Sequence, residues 1–216
     1  MARVNKSVIG FISGKLGDVV FREMNRKKFV SVSAKKYKIS QSAQAKKGRA
    51  NFAAAVKLAK AVNSVPLLKE IWSTAKIEGT NSYHRIIKYN AKSIVQGNLT
   101  TANKITPEGL ALTLSSLEVQ NNLLHLTINF PSKSNITFPV TLFICFSFTD
   151  AIYSLFIQQE KIIVPLPDDI YTLSIALNAE IKKALAGDPH PIIYLALAGL
   201  YVKKKVYWTG SIAAQL

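Results

Sequence analysis

The stretch Gly14-Lys15-Leu16-Gly17 has the composition of a phosphate cradle. A loop of the P-loop kind needs a strand, then Gly-x4-Gly-Lys-Ser/Thr, then a helix. Backbone N–H groups and the helix N-terminus face the phosphates, and the hydroxyl holds magnesium. Here Leu16 stands where the hydroxyl residue is required and Ile9 where the first glycine is required, and a strand-like run follows. The pattern predicts a tight turn, for which glycine supplies positive φ.

The other reactive side chains do not form a constellation. His84, His125 and His190 fall on an expected helix, strand and loop, without the close spacing of a metal pair. Asp168 and Asp169 are adjacent, so their carboxylates diverge instead of facing each other as glycoside hydrolysis requires. Asp188 in Gly-Asp-Pro-His reads as a turn residue. Ser7, Ser13 and the other serines lack a Gly-x-Ser-x-Gly elbow. Cys145, between Ile144 and Phe146, reads as a small buried hydrophobe. As the single cysteine it excludes an internal disulfide and a four-Cys zinc site. No catalytic residue, cofactor or metal site is expected.

Charge carries more information. Residues 1–104 hold 21 Lys+Arg against 4 Asp+Glu, whereas residues 105–216 hold 7 against 8. Such asymmetry marks the first half as the contact for an anionic partner. Arg22, Arg26, Lys27 and Lys28 surround an expected hairpin turn. Lys35, Lys36 and Lys38 follow, with Tyr37 among them, and Lys46, Lys47, Arg49, Lys57 and Lys60 continue on an expected helix. A basic ribbon beside a basic helix can follow a phosphate backbone and release its counterions. Phe29 and Tyr37 could stack on bases. No RRM, zinc-finger or basic-zipper signature accompanies them, so nucleic-acid binding would be independent of sequence.

These residues need elements to hold them. Val19–Phe21 and Phe29–Val32 flank the polar turn of a hairpin. Ser40 or Ser42 can cap the helix that follows, in which Phe52, Ala55, Val56, Ala59 and Val62 share one face and Lys46, Arg49, Lys57 and Lys60 the opposite one. Pro66 opens a second helix with Leu67, Leu68, Ile71, Trp72 and Ala75 on its apolar side. A third is expected from Ser82 to Val95. The stretch from Gly97 to Gly109, rich in Asn, Thr, Pro and Gly, reads as a domain junction near residue 105.

Beyond it, short extended runs alternate with turn residues. Leu110, Leu112 and Leu114 repeat at period two, as do Leu124, Leu126 and Ile128, and Leu142, Ile144 and Phe146. Asn121-Asn122 and Thr149-Asp150 read as hairpin connections, and residues 180–191 as a helical turn or loop. Seven or eight such strands imply an antiparallel sandwich of immunoglobulin or fibronectin type, without the Cys…Trp…Cys signature of antibody domains. The expected class is α+β: a basic hairpin-and-helix domain over 1–104, then a β-sandwich over 105–216. The N-terminal apolar stretch is too short for a signal-peptide core, and no window of about 18 apolar residues predicts a membrane span.

The runs from Ser13 to Val30, Ser40 to Val62 and Asn81 to Gly97 resemble the N-terminal block of an uncharacterised family of Bacteroidetes-type bacteria. Its members read Gly-Lys-x-Gly, a Val-rich strand, a turn, a basic strand and two helices. The closing Ile192–Ile212 resembles the same family's last two strands, although Tyr207 and Gly210 are one residue further apart than its Tyr-x-Gly. The N-terminal block is also similar to phage-like structural proteins. The resemblance implies a two-part architecture and brings no catalytic residue. The expected function is a non-enzymatic structural protein, a homo-oligomer or polymer forming a coat, fibre or filament. Its basic half would contact an anionic partner, and the alternative is a sequence-independent nucleic-acid-binding protein.

Overall fold

The computed structural model describes residues 2–4, 13–24, 26–33, 39–129, 139–148, 155–162, 170–188, 190–200 and 206–216. The chain divides into two units, Met1–Gln41 and Ser42–Leu216.

The first unit is an antiparallel sheet of β1 (Ala2–Val4), β2 (Gly14–Leu16), β3 (Val19–Met24) and β4 (Lys27–Val32), in the order β1-β4-β3-β2. Gly17, at φ 54°, and Asp18 turn β2 into β3, so the Gly-Lys-Leu-Gly stretch is a hairpin and no helix follows it. Met24 pairs with Lys27, which closes the expected second hairpin around Arg26, at φ 60°.

The second unit has three layers. Helices α1 (Ala43–Ser64), α2 (Pro66–Thr74) and α3 (Ser82–Asn90) come first. Ser42 caps α1, its hydroxyl accepting from Ala45 N at 3.2 Å, and Asn81 caps α3 in the same way through His84 N at 2.9 Å. Pro66 sits in the first turn of α2. The third helix ends earlier than expected: a 3-10 turn covers Ala91–Ser93, and Ile94 is extended.

Eight strands follow among the described residues: β5 (Thr113–Gln120), β6 (Leu123–Asn129), β7 (Val140–Ser147), β8 (Leu155–Ile162), β9 (Ile170–Ala176), β10 (Ile192–Leu200), β11 (Val206–Trp208) and β12 (Ile212–Gln215). One sheet runs β5-β6-β9. The other runs β11-β10-β7-β8, with β12 beside the first half of β10. All these strand pairings are antiparallel. Asn121 and Asn122, at φ 49° and 63°, make the tight turn expected between β5 and β6. The stretch read as a helical turn or loop begins inside a full helix, α4 (Ala179–Gly187), capped by Asn178. Lys161 and Ile162 complete β8. Thr149-Asp150 lies outside the described residues.

The centre of the larger sheet, β7 and β10, is buried on both faces. Leu142, Ile144 and Phe146 of β7 and Ile193, Leu195 and Leu197 of β10 face Leu124, Leu126 and Ile128 of β6. Their neighbours Phe143, Cys145, Tyr194, Ala196 and Ala198 turn the other way, against Leu58, Val62, Leu68, Ile71, Trp72 and Ile86 of the helices. Two-sided burial makes β7 and β10 nearly continuous apolar runs, whereas β6, covered on one face, keeps a strict alternation.

Two expectations change as a result. The junction placed near residue 105 lies inside the second unit, where Ile105 and Thr106 are fully buried and Asn103 bonds back to Asn90. The helices share a core with the sheet, so the chain divides at 41/42 instead. The apolar face of α1 is also rotated. Ala54 and Leu58 are buried with Ala55, Ala59 and Val62, while Phe52 is 58% exposed. Among the described residues no helix is long and apolar enough to cross a membrane.

Candidate functional site: two basic surfaces and an aromatic cleft

In an antiparallel pair, directly opposed residues lie on the same face of the sheet. In the first unit Arg22 opposes Phe29, Met24 opposes Lys27, Val20 opposes Ser31 and Lys15 opposes Val20. One face therefore carries Lys15, Arg22 and Lys27 around Phe29. The other carries Leu16, Val19, Phe21, Val30 and Val32, with Glu23 opposed to Lys28 at its end. The four basic residues expected to act together are thus divided. Arg22 and Lys27 share a face, Lys28 sits on the other, and Arg26 lies in the turn. Lys15 joins the basic face through its register, which composition alone did not reveal. Lys35, Lys36, Tyr37 and Lys38 lie outside the described residues.

The second unit holds the helical group. At about 100° per residue, Lys46, Arg49, Lys57 and Lys60 fall within an arc of about 80° on α1, over an axial span of about 21 Å. All four are exposed, as is Lys47 on the neighbouring side. Leu58 and Val62 lie on the far side of the helix and are buried, so the sheet holds α1 with its basic stripe outward. Phe52, on the flank of the stripe, adds an exposed ring.

The remaining candidates stay apart. His84 is exposed on α3. His125 Nδ1 lies 2.8 Å from Ser174 Oγ on the neighbouring strand, and His190 Nδ1 lies 3.1 Å from the Leu216 carbonyl. Asp188 accepts from His190 N at 3.1 Å, as a turn residue does. Asp168 and Asp169 lie outside the described residues. Cys145 is fully buried between helices and sheet, and burial pushes its thiol up to about 12, which keeps it protonated. Its cross-strand neighbour Tyr194 is likewise pushed up, by burial first and by Cys145 second, and donates to the Thr100 carbonyl at 2.8 Å. No three His, Cys, Asp or Glu side chains among the described residues could hold a metal ion.

A cleft of about 470 Å³ opens where the end of α2, α3, the 107–108 segment and β11 meet. Ile77, Tyr89, Pro107 and Trp208 supply its apolar walls, and the exposed Lys76 and Glu108 supply charge. Both rings are fixed from behind. Tyr89 meets Trp72 edge to face at 5.6 Å, and Trp72 is itself held by a 2.8 Å bond from Nε1 to the Ile105 carbonyl. Trp208 Nε1 donates to the Glu108 carbonyl at 3.1 Å. Gly109 lies so close that a Cβ there would stand 2.7 Å from Trp208 Cδ1. Burial, and secondarily Glu108, raises the Tyr89 phenol above its ordinary value. No sequence periodicity announces this cleft, because its walls come from four separated segments that only the topology brings together.

No family model matches the chain, and comparisons with curated proteins and with solved structures likewise find no match.

Proposed function

We propose that this chain is a non-enzymatic structural subunit that self-assembles into a coat, fibre or filament, with its basic surfaces turned to an anionic partner. The sheet of the first unit carries this reading. Leu16 and Val32 on its apolar face are 68% and 73% exposed, and Val19, Phe21 and Val30 are half-buried. A sheet with one apolar face needs a second layer, and a unit of about 40 residues rarely supplies one alone. The same face of a second copy is the layer that fits, since it offers equal width and matching apolar residues; the twofold pairing closes a dimer, which contacts elsewhere would join into a polymer.

The β-sandwich suits a passive building unit. The order β5-β6-β9 against β8-β7-β10-β11, with chain crossings after β6, β8 and β9, supports reading the two sheets as a fibronectin-type sandwich. Electron microscopy and light scattering of the full chain test the assembly. Ordered polymers or defined oligomers are expected, and Leu16→Lys with Val32→Lys should disperse them without altering circular dichroism. Uniform particles of 23.8 kDa would count against it.

The alternative, a sequence-independent nucleic-acid binder, draws on the Arg22–Phe29 pair and on the stripe of α1 beside Phe52. Titration of single-stranded and duplex DNA against salt separates the two. A slope steep enough to count several released counterions favours nucleic acid.

A further inference from the structure

We propose that the cleft between Tyr89 and Trp208 is a binding site for a neutral saccharide. The walls fit the chemistry of a sugar ring. An aromatic face is electron-rich and its partner should present weakly positive C–H groups over a flat apolar patch, as one side of a pyranose does. The polar edge of the Trp208 indole is already engaged by the Glu108 carbonyl and Gly109 packs against the same edge, so what the residue offers the cleft is apolar ring surface. Tyr89 and Trp208 are both locked before any ligand arrives, which lowers the ordering cost of binding.

The polar groups disfavour an ion of a single charge. Lys76 and Glu108 line the same cleft with opposite charges and make no ion pair with each other among the described residues. A simple cation or anion would meet one favourable and one unfavourable group. A polyol satisfies both, because its hydroxyls accept from the Lys76 ammonium and donate to the Glu108 carboxylate. The Tyr89 hydroxyl has no hydrogen-bond partner among the described residues and supplies a third contact. The volume lies within the usual range of small-ligand sites, about 300–1,000 Å³.

The two tryptophans make the test direct. Trp72 is fully buried, so ligand-dependent shielding of indole fluorescence from acrylamide reports on Trp208. The full chain is titrated with glucose, galactose, mannose, N-acetylglucosamine, cellobiose and chitobiose, and in parallel with arginine methyl ester and inorganic phosphate. At least one saccharide should shield saturably while the two ions do not. Glu108→Gln and Tyr89→Phe should each weaken that saccharide by about tenfold while leaving thermal unfolding in place. Soluble laminarin and hydroxyethylcellulose form a second arm: preference for a polymer identifies a glycan chain as the source, preference for a monosaccharide a free sugar. Absence of shielding by every saccharide, binding of an ion in their place, or unchanged affinity in both variants would overturn the proposal. None of these results depends on whether the chain assembles.

Discussion

Asn103 Nδ2 donates to the backbone carbonyl of Asn90 at 3.0 Å and lies 3.3 Å from its side-chain oxygen, deep in the second unit. Asn90 answers with its own side chain. Its Nδ2 donates to the carbonyls of Ile86 and Lys104, at 3.1 and 3.0 Å, and its Oδ1 accepts from Lys104 N at 2.7 Å. The same segment continues to the C-terminal strands, where Thr106 Oγ1 donates to the Thr209 carbonyl at 2.8 Å and Lys104 Nζ to the Ser211 carbonyl at 2.8 Å. A polar stretch is thereby buried with its hydrogen bonds satisfied.

Removing the hub strands some of those groups. Asn90→Ala leaves the Lys104 N–H and the Lys104 carbonyl without their side-chain partner in a largely dry site, while the Ile86 carbonyl keeps its helical bond. A loss of about 3 kcal/mol is expected, at about 1–3 kcal/mol per buried unsatisfied group with partial relaxation. Urea unfolding followed by tryptophan fluorescence measures it, and a change below about 1 kcal/mol would show that the network contributes little to stability.

The rotation of α1 yields a paired test. Leu58→Ala opens a hole between helix and sheet and should cost about 2–5 kcal/mol. Phe52→Ala removes a larger side chain from a largely exposed position and should stay within about 0.5 kcal/mol. If Phe52→Ala is the more damaging, the helix presents the face that periodicity alone suggested.

Cys145 gives stability a dependence on alkaline pH. Its thiol is raised from 9.0 to about 12 in the folded chain, so over that window the unfolded chain releases a proton that the folded chain keeps. The contribution is fully present below pH 9.0 and is lost as pH rises through about 12. Cys145→Ala should flatten the high-pH decline in unfolding free energy. The native thiol should also resist a disulfide reagent at pH 8 and react once urea is added.

The shared core predicts how the chain tolerates division. A fragment of residues 105–216 loses the helices that cover Phe143, Tyr194, Ala196 and Ala198. It should precipitate or bind a hydrophobic dye, whereas residues 42–216 should stay soluble and unfold cooperatively, as calorimetry and dye fluorescence would show. A well-behaved 105–216 fragment would place the boundary back at the polar segment.

Local chemistry made part of this architecture readable. The Gly17 turn, the Asn121-Asn122 hairpin, the Ser42 cap and Pro66 each rest on a backbone preference that one or two residues express. The alternation of Leu124, Leu126 and Ile128 records one buried face. Long-range placement was less legible. Leu142, Ile144 and Phe146 also suggested a one-sided strand, yet the intervening Phe143 and Cys145 were the sign of a second layer on the sheet. Asn, Thr and Pro between Gly97 and Gly109 have loop composition, and composition cannot tell a solvated linker from a strap whose Asn103, Ile105 and Thr106 are buried and hydrogen-bonded. On the basic surfaces, the α1 stripe followed from helical spacing. The division of Arg22 and Lys27 from Lys28 followed from strand register, which only the pairing partners fix.

Translation meets this three-layer unit in an awkward order. The helices carrying Leu58, Trp72 and Ile86 leave the ribosome well before Ile192–Leu200, the strand that completes the surface beneath them and pairs with β7. Until the exit tunnel releases that strand, the helices can cover only part of the surface they are built for, and their greasy side is open to any neighbour on the polysome. The interval before it emerges is when a chaperone would decide the yield.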